Sequence, residues 1–375
     1  MKINKLVGIP RTFPGSAYPG PAERMVPIGT SSFPPYLRPM HIRANASLRA
    51  YNTFGIDQPA EHLVEIDSVP TLRRVLRLSE GPYFVLGGGS NVLLTRPVGG
   101  YVLLNRIYGR SIISEDEDRV RMRFGGGENW HGVVLHTLER GYGGLENLSL
   151  IPGTVGASPI QNIGAYGVEL KDVFVQLEAM ELATGELHTF DAQALQFGYR
   201  DSFFKRAGKG RFFIVSVDVE LRKRQHELRT DYGAIKQELA KSNITNPTPK
   251  DISDAVIAIR RSKLPDPAEI GNSGSFFKNP EVDAAAYERL LAEFPDLVAY
   301  ALPNGQYKIP AGWLIERAGW KGKRVGNTGS HAKQALVLVN YGAATGAEIR
   351  QLADAIQRSI LAQFGIALQC EVNIM

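Results

Sequence analysis

The sequence predicts a mixed α+β protein of two or three domains, and three observations support this fold class. The 375 residues are 43% hydrophobic and 22% charged, the composition of a soluble globular protein large enough for more than one core. Segments with the period of a strand are interspersed with segments with the period of an amphipathic helix. Glycine-rich loops at 87–89 and 125–127 interrupt them. Because no apolar run approaches the ~20 residues that span a bilayer, we expect no membrane insertion.

Positive charge is concentrated in the first 40 residues. The chain carries a formal net charge of +5, and residues 1–40 hold five Lys and Arg against Glu23, which leaves about +1 for the remainder. We therefore expect no nucleic-acid partner. The same segment contains eight of the 22 prolines and shows no regular period, which predicts a disordered extension. An interaction arm, or sequence upstream of a start at Met25 or Met40, remains an alternative.

The predicted elements follow from apolar spacing. Helical spacing predicts helices at 68–81, 130–140, 251–263, 282–294, 310–320 and 347–364. Apolar runs and period-two alternation predict strands at 83–86, 102–104, 119–124, 173–181, 186–190, 212–221, 334–340 and 366–374. Gly81 is expected to end the first helix, and 231–233 to form a turn. Leu291 is expected on the buried face of the helix at 282–294.

The first glycine loop directly follows a strand. Gly87, Gly88, Gly89, Ser90 and Asn91 would present bare backbone amides to an anion, as phosphate cradles do. No long helix follows, and no acidic residue lies about 20 positions on, so this is not a dinucleotide fingerprint of the Rossmann type. A plain tight turn remains an alternative for this loop alone.

A second glycine loop and a long irregular segment strengthen the ligand interpretation. Residues 125–127 end a predicted strand, and 145–167 are small, glycine-punctuated and without a regular period. Such a stretch is uncommon in a compact domain unless it lines a ligand. We therefore predict a large nucleotide cofactor wrapped by backbone. His131 and His136 lack partners at metal-ligand spacing, so no metal is expected.

Three residues from distant parts of the chain are candidates for chemistry. Ser275 presents a hydroxyl between glycines and a Phe pair, where it can give or take a proton. Arg200 could grip a carboxylate with two hydrogen bonds, or form only a surface ion pair with Asp201. Glu371 is the one charge on the predicted last strand, and a solvated outer face is its alternative.

These runs resemble the UDP-N-acetylenolpyruvoylglucosamine reductase family. The matching runs, in chain order, are 52–55, 87–91, 127–131, 145–170, 197–205, 263–267, 274–280 and Glu371. They cover the chain from about residue 45 to its end.

The resemblance implies a two-subdomain FAD-binding domain of the vanillyl-alcohol-oxidase (PCMH) type followed by an α+β substrate-binding domain. The implied bounds are 41–225 for the first domain, with subdomains of about 41–107 and 108–225, and 226–375 for the second, whose last strand returns to the active site. NADPH would reduce FAD, and hydride would pass to the enolpyruvyl group of UDP-N-acetylglucosamine enolpyruvate. The product would be UDP-N-acetylmuramate for peptidoglycan synthesis. A cytoplasmic monomer is expected.

The resemblance also implies roles for individual residues. Ser275 is the expected proton donor to the carbon that bears the ether oxygen, and Arg200 and Glu371 are expected to hold and polarise the enolpyruvyl carboxylate. The expected substrate-binding residues are Tyr166, Tyr232, Lys263, Asn279 and Gln334. The expected FAD-binding residues are Gly87, Gly88, Gly89, Ser90, Asn91, Pro152, Gly153, Gly156, Ala157, Ser158, Ile160 and Gly164.

One departure and two competing functions remain. Asn373 stands where the family commonly has a basic residue. This predicts that part of the substrate binding is weaker or is supplied by other residues. Another FAD-dependent oxidase of the same fold is one alternative function, although such enzymes often tether flavin through His or Cys and the glycine loops contain no Cys. A non-catalytic nucleotide-sugar-binding protein is the other.

Overall fold

The computed structural model describes residues 41–375, and the extension expected at 1–40 lies outside the described residues. The first part of the chain contains β1 Ile42–Ser47, β2 Pro59–Ile66, α1 Val69–Leu78, β3 Tyr83–Leu86, β4 Val92–Leu93 and β5 Val98–Asn105. A four-stranded sheet has the order β1-β2-β5-β3, with β1 antiparallel to β2 and the other two pairs parallel. Helix α1 makes the crossover that parallel strands need. The first glycine loop starts at the carboxyl end of β3.

The second sheet is antiparallel throughout, with the order β11-β10-β12-β7-β6. The elements of this part of the chain are β6 Arg110–Glu115, β7 Arg119–Gly125, α2 Trp130–Leu138, β8 Gly164–Ala165, β9 Val168–Glu169, β10 Phe174–Glu181, β11 Leu187–Asp191, α3 Ala192–Leu195 and β12 Phe212–Arg222. One face of β7 is basic, and Arg121 and Arg123 on it both bind the fully buried Asp218 of β12. The two arginines therefore neutralise a carboxylate that is buried in the sheet.

A helical hairpin follows the second sheet. It consists of α4 Gly233–Lys241 and α5 Pro249–Lys263, whose apolar faces pack on each other. Thr248 and Asp251 form a capping box at the start of α5, and Ile252, Val256 and Ile259 are buried, as the spacing predicted. The turn predicted at 231–233 leads directly into α4, which begins at Gly233 and was not predicted.

The last third contains a four-stranded sheet with the order β13-β19-β18-β17 and a small sheet with the order β14-β16-β15. Its elements are β13 Gly271–Ser275, β14 Glu281–Val282, α6 Ala284–Glu293, β15 Tyr300–Ala301, β16 Tyr307–Lys308, α7 Ala311–Arg317, β17 Arg324–Val325, β18 Thr328–Ser330, β19 Val337–Asn340, α8 Gly346–Phe364 and β20 Asn373–Ile374. Strand β20 pairs in parallel with β4, so the chain end returns to the first glycine loop.

The first sheet and the last third of the chain share one hydrophobic core. Buried residues of 48–104 pack with buried residues of 276–372, among them Phe54, Phe276 and Phe364. A separate hydrophobic core packs against the second sheet. A smaller core, with residues such as Val64 and Phe213, lies between the two sheets. Within residues 41–375, no helix combines the length and the apolar character needed to cross a membrane.

Several predicted elements need correction. The first helix ends at Leu78, before Gly81, because Ser79 caps it through Val75. Residues 366–374 alternate in burial as predicted, but the ladder is limited to β20 and a single bridge between Phe277 and Cys370. Leu291 is 36% exposed, because α6 buries only Leu290 completely. The helix predicted at 310–320 is α7, and Gly319 at φ +75° follows its end.

Candidate active site

Backbone hydrogen bonds bring the segment of Glu371 against the strand of Ser275. The N–H of Glu371 donates to the carbonyl of Phe276 over 2.8 Å, and the N–H of Lys278 donates to the carbonyl of Gln369 over 2.9 Å. Phe276 is fully buried, so it fixes the strand end that carries Ser275. Two of the three predicted catalytic residues therefore come from segments in direct contact.

Arg200 completes this cluster. Its Nε lies 3.3 Å from Oε1 of Glu371, and its Nη2 donates to the carbonyl of Gly164 over 2.8 Å. The backbone of Arg200 has φ +53°, a left-handed conformation that is uncommon for residues with a side chain and is concentrated at functional sites. The alternative ion pair with Asp201 does not form, because Asp201 binds Arg206.

Glu371 is buried among cations. Its side chain is only 12% exposed, so the alternative of a solvated outer face is wrong. Burial raises the pKa of Glu371, and Arg200, Lys205 and Lys278 oppose that rise. Burial lowers the pKa of Lys205, and the neighbouring charge of Lys278 lowers it further. Three cations around one carboxylate leave an excess of positive charge, which is suited to an anionic ligand.

Ser275 lies at the exposed end of β13, opposite Val337 of β19. The pairing shifts between Asn272 and Ser275, and Gly274 in this irregularity has φ +69°. The side chain of Asn272 accepts a hydrogen bond from Gly274 N and so supports the turned backbone. Residues 271–275 therefore form a bulged edge strand.

The first glycine loop packs directly on the irregular segment. A Cβ at Gly87 would lie 2.4 Å from Oγ1 of Thr154, and a Cβ at Gly88 would lie 2.9 Å from Cα of Gly153. Ser90 Oγ donates to the carbonyl of Pro152 over 3.2 Å. Only glycine allows this close approach of two backbones.

The second glycine loop lies against the same segment. The N–H of Gly156 donates to the carbonyl of Gly126 over 2.8 Å, and a Cβ at Gly126 would lie 2.6 Å from Nδ2 of Asn105. Residues 125–127 were part of the predicted cofactor site, but none of them was named individually as an FAD-binding residue. Thr154 was missed entirely, although its buried hydroxyl is without a hydrogen-bond partner among the described residues.

This arrangement fits FAD. Among residues 41–375, the backbone N–H groups of Gly88, Ser90 and Asn91 donate to no protein acceptor, so they remain available for a phosphate. A side chain at Gly87, Gly88 or Gly89 would collide with atoms of the segments packed against the loop. We therefore find the cofactor prediction consistent with the residues present.

The other residues predicted to bind FAD are spread along 152–164. Gly156 is buried and Ala157 is half-buried in a short 3-10 turn, whereas Pro152 and Ile160 are exposed. The hydroxyl of Ser158 donates to the carbonyl of Val155 within the same turn. Gly164 offers its carbonyl to Arg200, which links this segment to the ion pair with Glu371.

The residues predicted to bind the substrate fall into three places. Tyr166 and Tyr232 meet edge to face, with ring centroids 5.3 Å apart. Asn279 Nδ2 lies 3.5 Å from the hydroxyl of Tyr199, and Gln334 lies in the turn before β19. Lys263 is exposed at the end of α5, and within the described residues no hydrogen bond or ion pair joins it to the other four.

Sequence reasoning missed two further cations and an aromatic ring. Lys278 faces Glu371, and Nζ of Lys308 lies 4.6 Å from the ring centroid of Tyr199. Tyr199 and Lys278 lie in runs that supported the family resemblance, so their positions beside Arg200 and Ser275 were the available signal. Lys308 lies in no such run.

Comparison with known proteins decides the family. Residues 60–191 match the model of the FAD binding domain family, and 266–375 match that of the UDP-N-acetylenolpyruvoylglucosamine reductase C-terminal domain. The reductase of that name from Flavobacterium johnsoniae is 50% identical over 337 residues, covering 90% of this chain and all of the relative. The chain belongs to the UDP-N-acetylenolpyruvoylglucosamine reductase family. It is an FAD-dependent oxidoreductase.

Other members of the UDP-N-acetylenolpyruvoylglucosamine reductase family agree. The Burkholderia cenocepacia reductase is 53% identical over 329 residues, with 86% of this chain and 94% of the relative covered. The crystal structure of the Thermus caldophilus reductase has a TM-score of 0.62 and covers 89% of this chain and 99% of that chain, at 24% identity. That likeness bears on the fold alone. The predicted family and α+β fold class are confirmed.

Proposed function

We propose that this chain catalyses the NADPH-dependent, FAD-mediated reduction of UDP-N-acetylglucosamine enolpyruvate to UDP-N-acetylmuramate in peptidoglycan precursor synthesis. Its curated relatives carry the name of this reductase. The observation that carries the proposal is the buried ion pair of Arg200 and Glu371, tied by a backbone hydrogen bond to the strand of Ser275. Bound FAD would supply a hydride carrier between NADPH and the enolpyruvyl group.

Charge stabilisation is the proposed task of the cation cluster. An enol ether accepts hydride at its terminal carbon only if the adjacent carboxylate takes up developing negative charge. Arg200 is the proposed partner of that carboxylate, and Glu371 orients the guanidinium from the opposite side. Lys205 and Lys278 add positive charge nearby. A well-placed donor of this kind contributes about 3 kcal/mol to transition-state stabilisation.

Ser275 is the proposed proton donor. Hydride adds to the terminal carbon, and the serine hydroxyl gives its proton to the carbon that bears the ether oxygen. The serine later regains a proton from solvent. Because an unassisted hydroxyl is a weak acid, the basic carbanion-like carbon and neighbouring cations must drive this transfer.

Binding roles follow the same division. The proposed contacts to FAD come from the loop 87–91 and the segment 152–164. The proposed contacts to the uridine diphosphate part come from Tyr166, Tyr232, Lys263, Asn279 and Gln334. The excess positive charge near Glu371 supports an anionic substrate.

The proposed domain division is 41–225 for FAD and 226–375 for substrate, with subdomains of about 41–107 and 108–225. The two matched family domains, at 60–191 and 266–375, fall inside these bounds. We also propose that the protein is cytoplasmic, because its proposed substrates, NADPH and a UDP-linked sugar, are cytoplasmic metabolites. We further propose that it is a monomer. Light scattering on the purified protein tests the monomer.

A turnover assay tests the activity. Purified protein is mixed with NADPH and UDP-N-acetylglucosamine enolpyruvate, and NADPH oxidation and UDP-N-acetylmuramate formation are followed together. Equal amounts of both are expected. NADPH oxidation that needs only oxygen would indicate an oxidase instead, and a protein without flavin absorbance would indicate a nucleotide-sugar-binding protein. Acid precipitation should release the flavin, because no covalent tether is expected.

A further inference from the structure

Asn147 lies beneath the aromatic pair of Tyr166 and Tyr232. Its side chain is 1% exposed, and its Nδ2 donates to two backbone carbonyls, those of Tyr166 and Arg229, each over 3.0 Å. Tyr166 has φ +50°, so its backbone adopts a conformation that needs support from its surroundings. One buried amide therefore joins the irregular flavin-side segment to the residues that lead into Tyr232.

A second buried polar contact joins the same irregular segment to helix α5. Ser149 Oγ lies 2.7 Å from Ser253 Oγ of α5, and both side chains are buried. The two contacts start from residues 147 and 149, a few positions before the Pro152-Gly153 turn that touches the first glycine loop. Helix α5 and the residues just before α4 are thus each held by the segment that packs on the proposed flavin site.

We propose that Asn147, assisted by the contact of Ser149 with Ser253, is a positioning residue that holds Tyr166 and Tyr232 over the substrate. This inference rests on the proposed function, in which that pair contacts the UDP-linked sugar. Asn147 itself touches no reacting atom. It acts by setting the backbone of one tyrosine and the approach to the other, so the flavin-side segment determines substrate affinity.

The test uses the FAD-loaded protein and Asn147→Asp, which keeps the side-chain shape but removes both donors. We expect KM for the UDP-linked enolpyruvyl sugar to rise about tenfold, because two partly buried backbone carbonyls lose their hydrogen-bond donor. The rate at which NADPH reduces the bound flavin should not change. In a Tyr232→Ala background, Asn147→Asp should raise KM by a smaller factor, because only the support of Tyr166 is then lost. An unchanged KM, or an equal further rise in that background, would overturn the proposal.

Two additional measurements keep the test decisive. If Asn147→Asp fails to retain FAD, two serine variants replace it. Ser149→Ala leaves one buried hydroxyl unpaired and should raise KM about threefold. The double variant Ser149→Ala with Ser253→Ala should have a KM closer to the native value. Hydrogen exchange needs no substrate. In either single variant the amides of 229–235 should exchange faster, and those of α2 should not. Unchanged exchange at 229–235 would contradict the proposal even if the native protein lacked the proposed reductase activity, which the native turnover assay decides separately.

Discussion

The guanidinium of Arg200 lies 3.3 Å from the carboxylate of Glu371, and each residue has a second contact. The guanidinium of Arg200 donates to the carbonyl of Gly164, and the backbone N–H of Glu371 donates to the carbonyl of Phe276. The pair therefore connects the segment beside the glycine loops to the strand that carries Ser275. Breaking it would leave a buried charge uncompensated, which is strongly destabilising when no water replaces the partner.

Glu371 should make stability depend on pH in a defined direction. Burial raises the pKa of its carboxyl above the ordinary value of 4.5, despite the nearby cations. The folded state then binds its proton more tightly than the unfolded state, so stability falls as pH rises from 4.5 through the raised pKa. Glu371→Gln lacks this loss. The difference in Tm, variant minus native, should therefore increase between about pH 4 and pH 8.

Thermal unfolding of both proteins in the same buffers measures this difference. Groups that titrate in both proteins cancel, so the slope of the difference reports Glu371. A difference in Tm that is the same at every pH reflects the new environment of Arg200 and does not change the slope. A difference that shrinks as pH rises would show that the pKa of Glu371 is lowered.

Ser275→Ala should separate the two half-reactions. Reduction of the flavin by NADPH should keep its native rate, whereas steady-state turnover should fall ~100-fold or more, because the proton donor is gone. Rapid mixing measures each half-reaction. Ser273→Ala is the matched control, since Ser273 lies in the same strand and its buried hydroxyl is without a partner among the described residues. Reoxidation of the reduced Ser275 variant at the native rate would exclude the assignment.

Periodicity predicted the long helices because each buries one apolar face. The inward residues of α5 and α8 were correct, and so were the strands that alternate over many residues, such as β12. The two-residue strands other than β20 were not predicted, because two residues are too few to show an alternating period. β20 pairs with β4 from the opposite end of the chain. Helix α4 was missed because Gly233 at its start indicates a turn.

The candidate site was predictable only where a residue lies in a recognisable motif. Ser275, Arg200 and Glu371 were candidates from their local sequence, and the resemblance supplied their expected roles. No local pattern indicated that Arg200 would bind Glu371 instead of Asp201. Thr154 and Lys308 were missed because their importance depends on contacts made through folding. Thr154 matters only because Gly87 lies against it.

The contact of Gly87 with Thr154 gives a test of the FAD cradle. A Cβ at Gly87 would lie 2.4 Å from Oγ1 of Thr154, so the loop must shift in Gly87→Ala. We expect FAD affinity to fall at least tenfold, the effect of about 1.4 kcal/mol of strain. Adding Thr154→Ala removes that atom and leaves the next at 3.6 Å, so most of the affinity should return. Titration of FAD into stripped protein measures it.

Gly99→Ala is the control for that series. Its new Cβ would meet nothing nearer than Glu61 Oε2 at 3.7 Å, and it lies in β5 outside the loops. FAD affinity should be native. If the double variant bound FAD as weakly as Gly87→Ala, the contact with Thr154 would not be the reason that Gly87 is required.

Asn373 holds the end of the chain against the first glycine loop. Its backbone N–H and its Nδ2 both donate to the carbonyl of Asn91, over 3.1 and 3.0 Å. Asn91 Nδ2 lies 3.0 Å from Gln161 Oε1 and 3.4 Å from the carbonyl of Glu371. The loop predicted to bind FAD is therefore joined to Glu371 through one asparagine.

Asn373→Asp keeps the size of the side chain but removes its donor, so Glu371 should be less well positioned. We expect reoxidation of the flavin by substrate to slow about fivefold, the factor that one net hydrogen bond contributes, while reduction by NADPH is unchanged. Rapid mixing again resolves the two steps. Gln369→Ala, an exposed side chain in the same segment, should leave both native. Equal slowing of both steps in Asn373→Asp would mean that the side chain supports the flavin loop itself and not Glu371.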